Sequence, residues 1–391
     1  MLEIGADANA GPAADRSVST TGTPKPADRA PLRRARWFRA LLLIPGGMAL
    51  LLGLNAGLQR LDISAPISSG RIAGAHGTLL VLGFVGTVIA LERAVALGRG
   101  WAFVSPALLG LGGIALIVPL PSGIGPALLL AGTLVLVALY IPLYQRQHDP
   151  SVAIQIVGAA MATGAALLVL REISFPVLLP WMAGFVVLTI VGERLELARI
   201  ALLAPSAAPL LLTIVGAYST ATVLSLVLPR VGYPLLGASV LALVGWLAKF
   251  DIATKTIRSS GLPRFTAACL LAGYAWLAVA GGIWLLSIHA PSGAAYDAVV
   301  HAVFLGFTLS MIMAHAPIIL PAVLRRALPY TSAFYLPAAL LQASLLIRVV
   351  IGDGFDSAYA RNFGGVLNVV AVLLFILSAV VSSLLKDEKA S

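Results

Sequence analysis

Residues 72–97 read IAGAHGTLLVLGFVGTVIALERAVAL, an apolar stretch in which Glu92 and Arg93 are the only charged residues. A membrane-spanning helix needs about 20 consecutive, mostly apolar residues, and this stretch is long enough. It also contains a histidine, His76, which is rare and usually functional inside a span. The stretch therefore predicts a transmembrane helix that bears a functional group.

The composition extends this prediction to the whole chain. Of the 391 residues, 59% are hydrophobic and only 11% are charged, whereas soluble domains average about 45–50% and about 25%. We predict an all-α, polytopic membrane protein whose partner is the lipid bilayer. The net charge of +10 is typical of basic cytoplasmic loops and does not indicate nucleic-acid binding. The single Cys269 excludes a disulfide framework and any Cys-based zinc or iron–sulfur site.

Pro, Gly and charged residues divide the chain into apolar stretches that we interpret as twelve transmembrane helices. They are 37–58, 72–97, 101–119, 125–144, 152–170, 175–197, 207–228, 233–253, 266–288, 296–321, 331–351 and 363–385. Together they form one transmembrane domain, 37–385. Residues 1–36 are expected to form a disordered cytoplasmic tail. Residues 386–391 are expected to form a cytoplasmic C-terminal tail.

The positive charges orient the predicted bundle. If the N-terminus is cytoplasmic, 20 of the 26 Lys and Arg residues lie on the cytoplasmic side. Positive charge concentrates in cytoplasmic loops, so both termini are expected in the cytoplasm. The six remaining arginines, on the outer side, are Arg60, Arg71, Arg171, Arg230, Arg348 and Arg361.

A short motif recurs in the second, sixth and tenth spans. Residues 83–93 read GFVGTVIALER and residues 184–194 read GFVVLTIVGER, with six of eleven positions identical; residues 306–315 read GFTLSMIMAH and share only the Gly-Phe pair and an Ile. Because the three spans lie four helices apart, they are expected at one depth and in one orientation. The motif predicts a pseudo-threefold arrangement of four-helix repeats.

Two histidines occupy matching positions in these repeats. His76 lies four residues past the start of the second span and His301 five past the start of the tenth, so their imidazoles are expected at one depth near the outer surface. Two neutral imidazoles from facing helices are what axial ligation of a haem iron requires. A pair of buried histidines bonded to backbone carbonyls or Ser hydroxyls is the alternative, and the spacing leaves both open. His148 and His289 are expected in solvated loops.

Gly83 and Arg348 complete the predicted cofactor site. Gly83 is seven residues after His76 and on nearly the same helix face, where the missing side chain would let a flat group approach. Arg348 is expected at the depth of the two histidines, where it would bind a ligand carboxylate in bidentate geometry. The alternative is that Arg348 extends to the membrane interface.

A second group of ionisable residues is expected near the inner face. Glu92, Glu193 and His315 share a depth there, and an arginine follows each glutamate. Ion pairs at helix ends are one interpretation; a proton-exchanging or metal-binding cluster on the repeat axis is the other. His315 lies fourteen residues after His301, but the second span has no equivalent histidine. A second bis-His haem is therefore not expected.

The span order and histidine positions resemble the catalytic subunit of haem-copper oxidases. The run Ala75-His76-Gly77-Thr78-Leu79-Leu80-Val81 resembles the motif on helix 2 of that family. This resemblance implies that His76 is a ligand of a low-spin haem and that Arg348 meets the haem propionates. In that family, copper ligands come from His on helices 6 and 7, whereas the sixth and seventh spans here contain none. An oxygen-reducing centre is therefore not expected.

Shorter stretches resemble the NnrS family, twelve-helix membrane proteins of the bacterial nitric-oxide response with haem and copper. The first stretch, from His76 to Phe84, is similar to a His-x-x-x-x-Phe-Gly-Phe segment of that family. The other two are His301-Ala302-Val303-Phe304-Leu305-Gly306, with Met311 downstream, and Leu346-Ile347-Arg348-Val349. The resemblance implies one haem b, a bacterial inner membrane, a redox partner on the outer side, and a role in electron transfer or nitric-oxide handling. Copper stays possible, but the histidine spacing does not support a copper site.

Two other functions stay open at this stage. The chain would be a cofactor-free transporter if substrate passed along Glu92, Glu193 and His315 and the His76–His301 pair were structural. It would be an assembly or sensing protein if neither group of residues did chemistry. A visible spectrum distinguishes the haem interpretation from both.

Overall fold

A computed structural model of the chain describes the backbone of residues 26–199, 204–324 and 328–390, and the side chains of 37–198, 204–321 and 328–384. Within these ranges every regular element is a helix, as the composition predicts. Residues 1–25 of the predicted N-terminal tail lie outside the described part of the chain. The first helix begins at Pro26.

Eleven of the described helices are long and apolar enough to cross a membrane, and one apolar helix is shorter. The chain is therefore an all-helical, polytopic membrane protein. The helices are α1 Trp37–Arg60, α2 Gly70–Leu97, the shorter α3 Gly100–Ala115, α4 Ile124–Gln147, α5 Pro150–Leu170, α6 Phe175–Ala198, α7 Ala207–Val227, α8 Pro229–Phe250, α9 Gly261–Leu286, α10 Gly293–Pro321, α11 Ser332–Asp353 and α12 Ala358–Leu384. Four of them extend beyond these apolar ranges: α1 begins at Pro26, α6 ends at Arg199, α10 at Leu324 and α12 at Ala390.

The sixth helix lies at the centre of the bundle. In an apolar stretch of 18 residues in α6, 78% of the residues are buried inside the protein. The corresponding fraction in α1, α7 and α12 is 33%. The side chains of those three outer helices are left to face lipid, which is as apolar as they are. Helix association in lipid therefore depends on close packing and on polar contacts between helices.

One such polar contact joins three helices in the middle of the bundle. Trp276 of α9 donates its indole N–H to Oε1 of Gln342 of α11 at 2.7 Å. The amide nitrogen of Gln342 donates in turn to Oγ of Ser310 on α10 at 3.0 Å. This chain of hydrogen bonds fixes α10 and α11, which both contribute to the site described below, against α9.

Three helices change from α- to π-helical geometry along their length. The π-helical segments are Leu79–Gly86 in α2, Ala302–Leu309 in α10 and Leu346–Asp353 in α11. In α2 and α10 the segment begins within three residues of His76 or His301 and contains the Gly-Phe pair. The third copy of that pair lies in α6, which is α-helical throughout. π-Helical insertions are rare and frequent at functional sites.

Gly237 of α8 marks a close approach between two helices. A Cβ atom at this position would overlap the backbone of α9 at Gly281 and Leu285. Gly245, two turns further along α8, has no atom within 4 Å of the place where its Cβ would lie. The two glycines therefore form a matched pair, one in a helix contact and one outside it.

We expect Gly237→Ala to lower the melting temperature of the purified protein in detergent, because the added methyl group forces α8 and α9 apart. Overpacking of this kind costs about 1–3 kcal/mol. Gly245→Ala should leave the melting temperature unchanged or raise it, since Ala is the better helix former. Equal melting temperatures for the two variants would contradict the described packing of α8 against α9.

Candidate functional site

A cavity of about 810 Å³ lies at one end of the bundle. It is lined by the ends of α1 and α11 and by the beginnings of α2, α6, α10 and α12. His76, His301 and Arg348 all line it, so the structure brings these three residues together. Its volume lies within the range of about 300–1,000 Å³ that is usual for ligand and cofactor sites. We refer to it as the histidine cavity.

The imidazole of His76 is held by α1. Its Nδ1 lies 2.8 Å from the carbonyl oxygen of Gly53, and one turn further along α1 a Cβ on Gly57 would lie 3.1 Å from Cε1 of His76. Helix α1 thus provides a hydrogen-bond acceptor and the space for the ring. Because a carbonyl only accepts, Nδ1 must bear the proton, and Nε2 of the neutral ring keeps its lone pair.

His301 is held in the same way by its own helix. Its Nδ1 lies 2.7 Å from the carbonyl oxygen of Asp297, one turn earlier in α10. The Asp297 carboxylate is close too, with Oδ2 at 3.4 Å from the same nitrogen. Nδ1 is again the donor, so Nε2 is the remaining ligand atom. Metal-binding histidines usually donate their second nitrogen to a carbonyl or carboxylate in this manner.

Arg348 forms a bidentate ion pair with Asp297. Its Nε and Nη2 donate to Oδ2 and Oδ1 of the carboxylate, both at 2.8 Å, and the Arg348 side chain is only 8% exposed. A series of polar contacts therefore connects Arg348 of α11, through Asp297, to the imidazole of His301. The sequence analysis missed Asp297, although its position four residues before His301, on the same helix face, was a usable signal.

Two other arginines at the histidine cavity differ in their partners. Arg361 of α12 pairs with Asp353 and with Asp356, at 3.1 and 3.0 Å. Arg60, at the end of α1, lines the cavity. Within the described ranges Arg60 has neither a hydrogen bond nor an ion pair, and it was not identified as a site residue from sequence.

Gly83 does not line the cavity. A Cβ at Gly83 would lie 3.1 Å from Cβ of Ala49 and 3.4 Å from Cα of Gly113, so α1 and α3 occupy the space beside it. The close approach at this glycine is between helices. Gly57, Gly74 and Gly77 are among the glycines that line the cavity.

At the opposite end of the bundle, Arg93 bridges the two predicted glutamates. Its Nη2 lies 2.5 Å from Oε1 of Glu92 and 3.1 Å from Oε1 of Glu193. Both glutamates therefore share one cation. This contact corresponds to the first of the two interpretations, ion pairs at helix ends.

His315 belongs to a separate group of contacts. Its Nδ1 donates to the carbonyl of Met311 at 2.8 Å, and its Nε2 accepts from Nη1 of Arg194 at 3.3 Å. No group of three or more His, Cys, Asp or Glu side chains that could hold a metal ion occurs in the described ranges. The predicted metal set of Glu92, Glu193 and His315 is thus not assembled, because arginines take up the carboxylates and the imidazole.

Arg194 is fixed by Asp251, a residue that the sequence analysis did not single out. Nε and Nη2 of Arg194 donate to the Asp251 carboxylate at 2.6 and 2.9 Å, and the aspartate side chain is completely buried. Asp251 Oδ1 also accepts from the backbone N–H of Ala253 at 2.7 Å. This ion pair connects the end of α6 to the segment that follows α8.

We expect Asp251→Asn to destabilise the protein by about 3–5 kcal/mol, because removal of one partner leaves the Arg194 charge buried and unpaired. Thermal unfolding in detergent measures the effect. Asp356→Asn is the matched control: its carboxylate also pairs with an arginine, but its side chain is 93% exposed, and exposed pairs contribute little. A loss of similar size in both variants would be inconsistent with the buried pair's role.

Comparison with known proteins gives one match. Residues 39–384 match the family model described as Domain of unknown function (DUF8744). No curated protein and no solved structure matches the chain.

Proposed function

We propose that this chain, which belongs to the family described as Domain of unknown function (DUF8744), binds one haem b between His76 and His301. One observation supports the proposal above all others. The two imidazoles line one cavity from two different helices, and each uses Nδ1 for a backbone carbonyl. Each therefore presents Nε2 as the free ligand atom.

The cavity residues suit a flat, largely apolar cofactor. Leu80, Val81, Phe304 and Leu305 contribute to the lining beside the two histidines. A haem bound here would supply one-electron redox chemistry. His76 and His301 would both hold the haem iron, which favours electron transfer over direct binding of nitric oxide.

The resemblance of the sequence to the NnrS family and to haem-copper oxidases supports the same cofactor. The charge distribution of the loops supports a position of the histidine cavity near the outer surface, and the resemblance to the NnrS family supports a bacterial inner membrane. A redox partner would then approach from the outer side. Copper is not part of this proposal, because the histidine spacing provides no further ligands.

The alternative of a cofactor-free transporter has less support. Its proposed path would pass Glu92, Glu193 and His315, yet Arg93 bridges the two glutamates and Arg194 contacts the histidine. A fixed cation at each of these groups opposes the binding of a transported cation. The absence of haem from the purified protein would nevertheless return this function to first place.

We also infer that the chain crosses the membrane twelve times, in a pseudo-threefold arrangement of four-helix repeats. The number of crossings depends on whether the short helix α3 spans the membrane. Its length of about 24 Å is less than the thickness of the hydrocarbon core, roughly 30 Å. Residues at the beginnings of both α2 and α6 line the histidine cavity, among them His76 and Phe175. If α2 and α6 start at the same end, α3, α4 and α5 must make three crossings, and both termini then lie on the same side. The distribution of positive charge favours the cytoplasmic side.

The topology is tested with alkaline phosphatase fusions, which are active only outside the cytoplasm. We expect activity for a fusion after Ser122, which follows α3, and none for fusions after Arg36, His148 and Lys386. An inactive fusion after Ser122 would show that α3 does not cross, and the twelve-span count and the orientation would have to be revised.

The haem is tested by the visible spectrum of protein produced with ample haem. Bis-His ligation gives a six-coordinate, low-spin haem, so the reduced protein should show sharp α and β bands. We expect His76→Ala and His301→Ala to yield high-spin haem or none, because each removes one axial ligand.

His148→Ala is the control for these variants, since His148 lies at the end of α4, where its ring contacts Tyr144. It should keep the wild-type spectrum. A colourless wild-type protein, or low-spin spectra in both cavity variants, would overturn the assignment of the haem to this cavity.

A further inference from the structure

We infer that the ligand's carboxylates are bound by Arg60, and that Arg348 is a positioning residue for His301. This inference rests on the proposed haem function and names the binding residue for one part of that ligand. It also departs from the resemblance to haem-copper oxidases, which implies that Arg348 itself meets the propionates.

Arg348 has only one side-chain nitrogen that does not already donate to Asp297. Two of its three nitrogens are used by Asp297. The third, Nη1, lies against α12, where a Cβ on Gly365 would be only 2.5 Å away from it. Since the carboxylate of Asp297 already balances the guanidinium charge in bidentate geometry, a second carboxylate here would leave one anion without a matching cation.

The Asp297–Arg348 pair holds the imidazole of His301 in place. Asp297 provides the carbonyl that accepts from Nδ1 of His301, and its carboxylate Oδ2 is 3.4 Å from the same nitrogen. Arg348 fixes that carboxylate from the neighbouring helix. The pair therefore sets the orientation of the His301 ring and keeps Nε2 free of a proton, as outer partners of metal-bound histidines do.

Arg60 is the cation that is available to bind a carboxylate in the histidine cavity. Arg361 is shared between Asp353 and Asp356. Arg60 lines the same cavity, and in the part of the chain that the structure describes it has no carboxylate partner. An arginine with five free N–H donors is suited to bidentate binding of a carboxylate. Its position at the outer end of α1 also lets a bound carboxylate reach solvent.

The experiment compares haem b with its dimethyl ester, in which both carboxylates are blocked. Each is titrated into full-length apoprotein in detergent, and binding is followed by the absorbance of the bound haem. In the wild type, the ester should bind about tenfold or more weakly, since a charge-assisted hydrogen bond is lost. In Arg60→Gln, haem b should bind as weakly as the ester, so the discrimination disappears.

Two further variants separate the roles of the arginines. Arg71→Gln removes an arginine near the same end that does not line the cavity and bonds to the carbonyl of Val118; it should keep the full discrimination. Arg348→Gln should also keep the discrimination, but the bound haem should become partly high-spin because His301 is no longer held. The charge-balanced variant with both Asp297→Asn and Arg348→Gln should show the same spin-state change, which controls for misfolding caused by an unpaired Asp297.

The outcomes distinguish this inference from the haem proposal. If neither compound binds to the wild type, the haem proposal fails. If both bind equally well, the haem proposal stands and carboxylate recognition by Arg60 is wrong. If Arg348→Gln removes the discrimination while Arg60→Gln preserves it, Arg348 is the carboxylate-binding residue and the inference is overturned.

Discussion

The hydrocarbon core of a membrane offers no hydrogen-bond partners, and this constraint governs the whole structure. Each backbone polar group within a span must be satisfied by the protein itself, and a charged side chain there needs a partner. The histidines of α2 and α10 donate to the carbonyls of Gly53 and Asp297. Arg194 and Arg348 each form bidentate pairs with an aspartate. The same contacts that satisfy the side chains also determine which helices adjoin.

The two ends of the bundle meet this constraint in different ways. At one end, Glu92 and Glu193 share Arg93, and Asp251 pairs with Arg194. At the opposite end, the histidine cavity leaves room beside the imidazoles, and Arg60 has no acidic partner among the described residues. This difference is the reason why we place the proposed chemistry in the histidine cavity and assign the ion pairs at the other end to stability.

Much of the fold was predictable because lipid imposes its thickness on the sequence. Apolar length alone indicates the spans, and counting residues from the start of each span places His76 and His301 at one end. The partners were not predictable in the same way. Arg194 and Asp251 are 57 residues apart and Arg348 and Asp297 are 51 apart, and no periodicity links such positions. The role of Gly83 was not predictable either, because a missing side chain indicates a close approach but not whether a helix or a ligand approaches.

The π-helical segments have a consequence for how related chains are compared. A π-helical segment accommodates an extra residue within a helix, and each residue of an α-helix turns its side chain by about 100°. Deletion of a single residue within Leu79–Gly86 would restore regular α-helical bonding and swing His76 away from the cavity relative to the inner half of α2. Hydropathy and span count would hardly change. Two homologues with indistinguishable hydropathy profiles can therefore differ in whether this histidine faces the cavity, and a one-residue gap in their alignment would be the only trace of it.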